Sequence, residues 1–271
     1  MAEGLAETPP VRHALPSRIA RPNPIAFSIL ILVAAFVLVS MGDVGVSPGE
    51  LFDGIPGMAR MFMSMMPPDL SRIGSVGSAL LETFQMAVVG TTFGIALSVP
   101  LAILASRRQT PNRVVYLAVR SLISLFRTVP DLIWALFFVI AVGLGPFAGT
   151  LAIMIDTIGF CGRFFAETME EVDDGPQEAL RGLGAGRLGT VVCAVLPAAM
   201  PSFVNTSLFS LEKATRSSVV LGLVGAGGIG IELKVAMDMF AYGQAATIIL
   251  SIFVLVLLVE QASAWLRRRI M

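Results

Sequence analysis

An all-α, polytopic membrane protein with six transmembrane helices is what this sequence predicts, and three observations predict it. First, 55% of the 271 residues are hydrophobic and only 14% are charged, against roughly 45–50% and about 25% in soluble domains. Second, the apolar residues gather into runs that approach or exceed the roughly 20 helical residues needed to cross a hydrocarbon core about 30 Å thick. Third, arginines cluster between those runs in a pattern that assigns one set of loops to the cytoplasm. The 19 basic and 19 acidic residues cancel, which removes the electrostatic case for a nucleic-acid binder. His13 is the single histidine, so histidine triads and histidine-based zinc sites are excluded. Cys161 and Cys193 form no CxxC pair and read as small hydrophobes.

In chain order, residues 1–24 carry Arg12, Arg18, Arg21 and several prolines and read as a disordered cytoplasmic tail. Ile25–Met41 has no charge and makes the first span. Its length exceeds the roughly 7–15 residues of a signal-peptide core, and no A-x-A-like site follows, so it reads as retained. The stretch 42–76, with Pro48, Pro56, Pro67 and Pro68, reads as an extracytoplasmic loop. Within it, the five methionines of Met58–Met66 read as an interfacial helix with Phe62 and Arg60, in preference to a Cu(I) thioether site. A five-helix core then occupies 77–269, with apolar runs at Gly77–Ala105, Val114–Gly143, Phe147–Phe165, Val191–Leu211 and Ala245–Leu266. The run Val114–Gly143 is too long for one straight span. Pro130 removes a helix donor and clashes with the preceding turn, so Val114–Phe126 reads as a cytoplasmic-side helix and Asp131–Gly143 as the continuing span.

An even number of spans puts Arg12, Arg18 and Arg21, Arg107, Arg108 and Arg113, and Arg267–Arg269 on one side, with both termini cytoplasmic. The loop 167–190 then faces the cytoplasm as well. Within it, Asp174, Pro176 and Gln177 read as a helix start of capping-box type. Gly184 and Gly186 permit a sharp turn, and a second helix leads from Arg187 toward Leu196. Such a knob suits docking into a groove on a soluble partner, or is simply a connection between spans.

The pattern Glu178-Ala179-Leu180-x3-Gly184-x9-Ala194-x-Leu196-Pro197 resembles the EAA loop of ABC importer permeases in position and spacing. Leu180 and Ala194 depart from the pattern but stay apolar. The resemblance covers nearly all of 80–269. It narrows to the phosphonate importer permeases through Phe126–Phe138, Val142–Thr150 and Leu221–Gly230, with Asp156 a departure at a slot that often holds histidine. It implies a type I ABC importer, MetI-like core, in which Glu178, Ala179, Gly184, Leu196 and Pro197 couple to the ATPase. It further implies two copies of an ABC ATPase, a second permease subunit identical or homologous, and an extracytoplasmic phosphonate-binding protein. The chain is then a non-catalytic, multi-pass subunit of a bacterial plasma membrane, with no cofactor of its own, ATP and Mg residing in the ATPase. Phosphite or phosphate are the neighbouring substrates.

Gly225, Gly227 and Gly230 satisfy GxGxxG literally, but a dinucleotide fingerprint needs a preceding strand, a following helix and an acid about 20 residues on. No GxxxxGK[ST] occurs in the chain. With Gly228, these glycines read as a buried re-entrant gate at 221–230, since irregular backbone at membrane depth must be shielded from lipid. Glu212, Lys213 and Arg216 are placed at the outer end of the fifth span, just before it. Glu212 and Arg216, four apart, can pair on one helix face, either to fix the helix end or to hold Arg216 for an anion in the translocation path. Glu82, Asp156, Arg163 and Glu260 read as packing or interface charges. Two rivals stand: a permease for methionine or another small nutrient, and a secondary transporter, which would show inverted repeats that this sequence lacks.

Overall fold

The computed structural model describes residues 24–45, 47–110 and 112–270. The expected N-terminal tail, with His13 and its arginines, lies outside the described residues up to residue 23. The chain divides into two units, Met1–Ala59 and Arg60–Met271. In the first, α1 (Pro24–Asp43) is apolar all round and buries none of its residues within the chain. A helix of that kind has lipid as its natural solvent. Next comes α2 (Pro48–Ser64), which runs across the boundary at Ala59 and is started by the Ser47 hydroxyl, which accepts from the Glu50 N–H. It exposes Phe52, Ile55, Phe62 and Met63.

The second unit is built from α3 (Ile73–Ala105), α4 (Arg113–Thr128), α5 (Asp131–Val142), α6 (Pro146–Glu171), α7 (Asp174–Gly182) and α8 (Arg187–Thr190). A π-helical turn, Val191–Val195, carries α8 into α9 (Leu196–Gly222), and α10 (Ile229–Asp238) and α11 (Tyr242–Ile270) complete it. Among the described residues, five continuous helical stretches are long and apolar enough to cross a membrane: Pro24–Asp43, Ile73–Ala105, Pro146–Glu171, Arg187–Gly222 and Tyr242–Arg269. The sixth span exists only if α4 and α5, bent by 92° at their junction, count as one. Alone, the 12 residues of α5 reach about 18 Å, short of the hydrocarbon thickness. The break has its cause at Pro130. Val129 before it is extended, with ψ 122°, as the clash with a following proline ring demands.

The main packing seam joins α3 to α6. A Cβ added at Gly94 would stand 2.5 Å from Cβ of Thr157, and one at Gly90 would stand 2.8 Å from Cγ2 of Ile153. The four-residue spacing of these glycines lets the two backbones approach where lipid offers no hydrophobic drive between helices. Toward the α7 end, Phe165 stacks on Phe203 of α9 at 4.0 Å, in a cluster with Ala102, Cys161, Met169 and Val195. At the other end, the segment before α3 meets the start of α11. The Asp69 N–H donates to the Gly243 carbonyl at 3.0 Å, and the Thr247 hydroxyl donates to the Asp69 carbonyl at 2.7 Å. The short helix α10 lies between the glycine segment and the last span, where the sequence predicts no separate element.

Candidate functional site: coupling loop, glycine turn and span charges

The loop after α6 is a pair of short helices around a tight turn. Its cap differs from the expected one. Asp173, not Asp174, starts α7, accepting from the Gly175 N–H at 3.3 Å. Starting one residue early moves Gln177 off the capping-box position. Gln177 is buried, donates to the Asp173 carbonyl at 3.2 Å and accepts from Gln109 Nε2 at 3.2 Å. Asp174 is thereby free to pair with Arg108 at 2.6 Å. The Arg107 N–H donates to Glu170 at 2.6 Å, and Arg120 of α4 lies 3.5 Å from the same carboxylate. The α3–α4 connection thus grips the end of α6 and the start of α7. The signal for this was present in the sequence, as arginines and acids on two loops assigned to one side.

The far end of α7 closes as a Schellman motif. The Gly184 N–H donates to the Arg181 carbonyl and the Ala185 N–H to the Leu180 carbonyl, both at 3.0 Å. Gly184 has φ +86°, where an L side chain meets a steric penalty that glycine avoids. Glu178 and Ala179 are exposed. Leu183 and Leu188, which carry no motif signal in the sequence, are 85% and 75% exposed. Large apolar side chains presented this openly on a capped knob suit a protein partner. Leu196 instead packs against the Phe165–Phe203 cluster, and Pro197 is exposed in the first turn of α9. The π turn before it has the Leu196 N–H reaching the Val191 carbonyl, five residues back. The wider turn sits where Pro197, lacking an N–H, cannot continue regular bonding.

The glycine segment is buried irregular backbone, as protein at membrane depth requires. Ala226, Gly227, Gly228, Ile229 and Gly230 are all buried. It is pinned from two sides. The Gly228 N–H donates to Glu82 Oε1 at 2.8 Å and the Ile229 N–H to Thr83 Oγ1 at 2.7 Å, so α3 caps the start of α10. The Gly145 N–H donates to the Gly225 carbonyl at 3.0 Å. A Cβ at Gly227 would stand 2.6 Å from Cα of Pro146, and one at Gly222 would stand 2.7 Å from Cα of Gly230. Glu82 is therefore a cap for the turn, a role hidden from sequence because its partner is 146 residues away.

The span charges are rearranged relative to expectation. Glu212 does not pair with Arg216. It is buried and bonded to Arg267 of α11. A long side chain near a helix C-terminus leans back toward the N-terminus, which brings this guanidinium to the buried carboxylate. Nor does the charge group sit at the outer end of its helix. Lys213 Nζ contacts both carboxylate oxygens of Asp156 at 2.8 Å, and the Ser210 hydroxyl lies 3.5 Å from that of Thr157. Asp156 stands about 15 Å from the start of α6 and about 22 Å from its end. Arg216 is exposed and makes no hydrogen bond or ion pair among the described residues. Arg163 pairs with Glu167 within α6 at 2.8 Å. No group of three or more His, Cys, Asp or Glu side chains among the described residues could hold a metal.

A bent helix pair, a capped knob and a pinned glycine turn are the features of a transporter permease. Residues 98–271 match the family described as binding-protein-dependent transport system inner membrane component, and the chain belongs to it. The phosphate-import permease protein PhnE of Mycolicibacterium smegmatis is 39% identical over 259 residues, 95% of this chain. The aligned region is 48% of that protein, so this chain spans about half the length of that relative. The phosphite transport system permease protein PtxC of Stutzerimonas stutzeri is 37% identical over 238 residues, 88% of this chain and 86% of that protein. The inward-facing MetNI methionine ABC transporter matches with a TM-score of 0.64 at 23% identity, covering 72% of this chain and 96% of the matched chain. The fold is that of the MetI-like, type I ABC importer permeases.

Proposed function

We propose that this chain is the permease subunit of an ATP-driven importer for phosphonate, or for the related anions phosphite and phosphate, and supplies half of the translocation path. The observation that carries the coupling part is the capped knob of α7 and α8, with Glu178, Ala179, Leu183 and Leu188 exposed on it. The substrate part rests on relatives named for phosphate import and phosphite transport.

On this reading both termini face the cytoplasm and two copies of an ATPase grip the knobs of two permeases, this chain and a second copy or a homologue. ATP and Mg stay in the ATPase, and an extracytoplasmic binding protein delivers the anion. Closing the ATPases draws the knobs together and opens the path outward; hydrolysis resets it. The pinned turn at Gly225, Gly227, Gly228 and Gly230 serves as gate, and Arg216 offers a planar fork of donors to phosphoryl oxygens. Glu212 acts indirectly, by anchoring α9 to Arg267 of α11.

The test is ATPase stimulation in the reconstituted complex, with its binding protein, by phosphate, phosphite, methylphosphonate and methionine in turn. Stimulation by a phosphorus oxyanion and not by methionine supports the reading. Stimulation by methionine alone overturns it in favour of the nutrient rival.

A further inference from the structure

Asp156, Phe160, Arg163 and Glu167 recur at spacings of four, three and four along α6 and form one face of it. Phe209, Lys213 and Arg216 do the same along α9. The two faces lie side by side: Phe160 stacks on Phe209 at 5.7 Å, and Lys213 reaches Asp156 beneath that ring pair, 5.4 Å from the Phe160 centroid. Neither charge is sealed off. The side chains of Lys213 and Asp156 keep 36% and 19% of their exposure.

Ionisable groups within spans are costly against lipid and face a protein interior or a water-filled path. This pair stays partly open on the face that carries Arg216 one turn further along.

We propose that Lys213 takes the phosphoryl oxygens of the passing anion, with Asp156 as its resting counter-ion. This rests on the substrate reading above. The ammonium exchanges one pair of oxygens for another, so the path carries a cation for the anion without leaving an unpaired charge when empty. Arg216 is the next donor along the same face, one turn nearer the gate. No bond is made or broken, and no proton need move.

The test compares uptake of phosphate, phosphite and methylphosphonate by vesicles holding the full complex. The variants are Lys213→Gln with Asp156→Asn together, Asp156→Asn alone and Lys213→Arg. The neutral pair should assemble with the ATPase as the wild type does, yet lose about ten- to hundredfold in uptake, the worth of one charge-assisted contact. Asp156→Asn should lower KM, because the competing carboxylate is gone, and Lys213→Arg should keep most uptake. Wild-type uptake in the neutral pair overturns the proposal, and so does failure of both the neutral pair and Asp156→Asn to assemble. A wild-type complex that takes up none of the three anions fails the substrate reading instead.

Discussion

Gly184 constrains the knob of α7 and α8 through its backbone. Nothing lies within 4 Å of a Cβ built there, so any penalty for substitution comes from φ +86° and not from crowding. Gly184→Val should cost about 1–3 kcal/mol, reshape the knob and impair transport while the helices remain folded. Gly184→Asn, which tolerates the left-handed region, should retain far more. Equal transport by both variants would show that the turn's conformation is unimportant. Asp69 gives a second prediction, outside the spans. The Ser71 backbone N–H, then the Ser71 side chain and Gln244, hold its carboxylate below the usual 3.8. A depressed folded-state pKa stabilises above the unfolded value and loses that contribution as pH falls through the folded one. The melting difference between wild type and Asp69→Asn should therefore be constant near neutrality and shrink below about pH 3.8; a difference that grows on acidification would contradict the assignment. For Arg216, Arg216→Lys should retain part of the uptake and Arg216→Ala lose most of it, with the complex still assembled. Loss of assembly in Arg216→Ala would make it structural.

Among the elements, the α3–α6 seam and the α10 start make separate demands. Gly94→Leu forces a side chain into Thr157 of a packed neighbour, and overpacking of this kind costs about 1–3 kcal/mol or more. The variant should lower the melting temperature of the purified protein, whereas Gly57→Leu, where a built Cβ meets nothing, should not. Glu82→Ala removes the acceptor for the Gly228 N–H, and an unmet buried donor costs about 1–3 kcal/mol. Amide exchange at residues 223–229 should accelerate in Glu82→Ala and much less in Glu82→Gln; unchanged exchange would show that Glu82 does not hold the glycine turn. These elements also show what sequence could and could not reveal. The knob was legible because its signals are local: an acid, a proline and glycines within a dozen residues. The bend at Pro130 was legible for the same reason. The cap from Glu82, the Asp156–Lys213 pair and the Glu212–Arg267 pair were not, because which of several charges meet depends on helix rotation and tilt. The expected Glu212–Arg216 pair failed on that point: spacing allowed it, but a buried carboxylate draws the cation that its neighbouring helix supplies. Helix α10 was missed because ten residues following a glycine run carry too little periodicity to separate from loop.

At the scale of the whole molecule, the composition sets a multi-pass membrane protein and the fold makes it a permease core. Arginine placement predicts which loops face the cytoplasm. A reporter inserted near Gly186 or fused after Arg269 should lie in the cytoplasm, and one near Gly54 outside. Gly54 and Gly186 on the same side would break the six-span topology, including the counting of α4 and α5 as one bent span. In the proposed function, transport is driven by ATP through the knob and not by an ion gradient through the helices. The most direct measurement is uptake of radiolabelled phosphate, phosphite and methylphosphonate into proteoliposomes holding this permease, its ATPase and the binding protein. The account predicts uptake that requires ATP on the ATPase side, persists when ionophores collapse every ion gradient, and is largely abolished by Gly184→Val. Uptake that proceeds without ATP and vanishes with the ion gradient would contradict it.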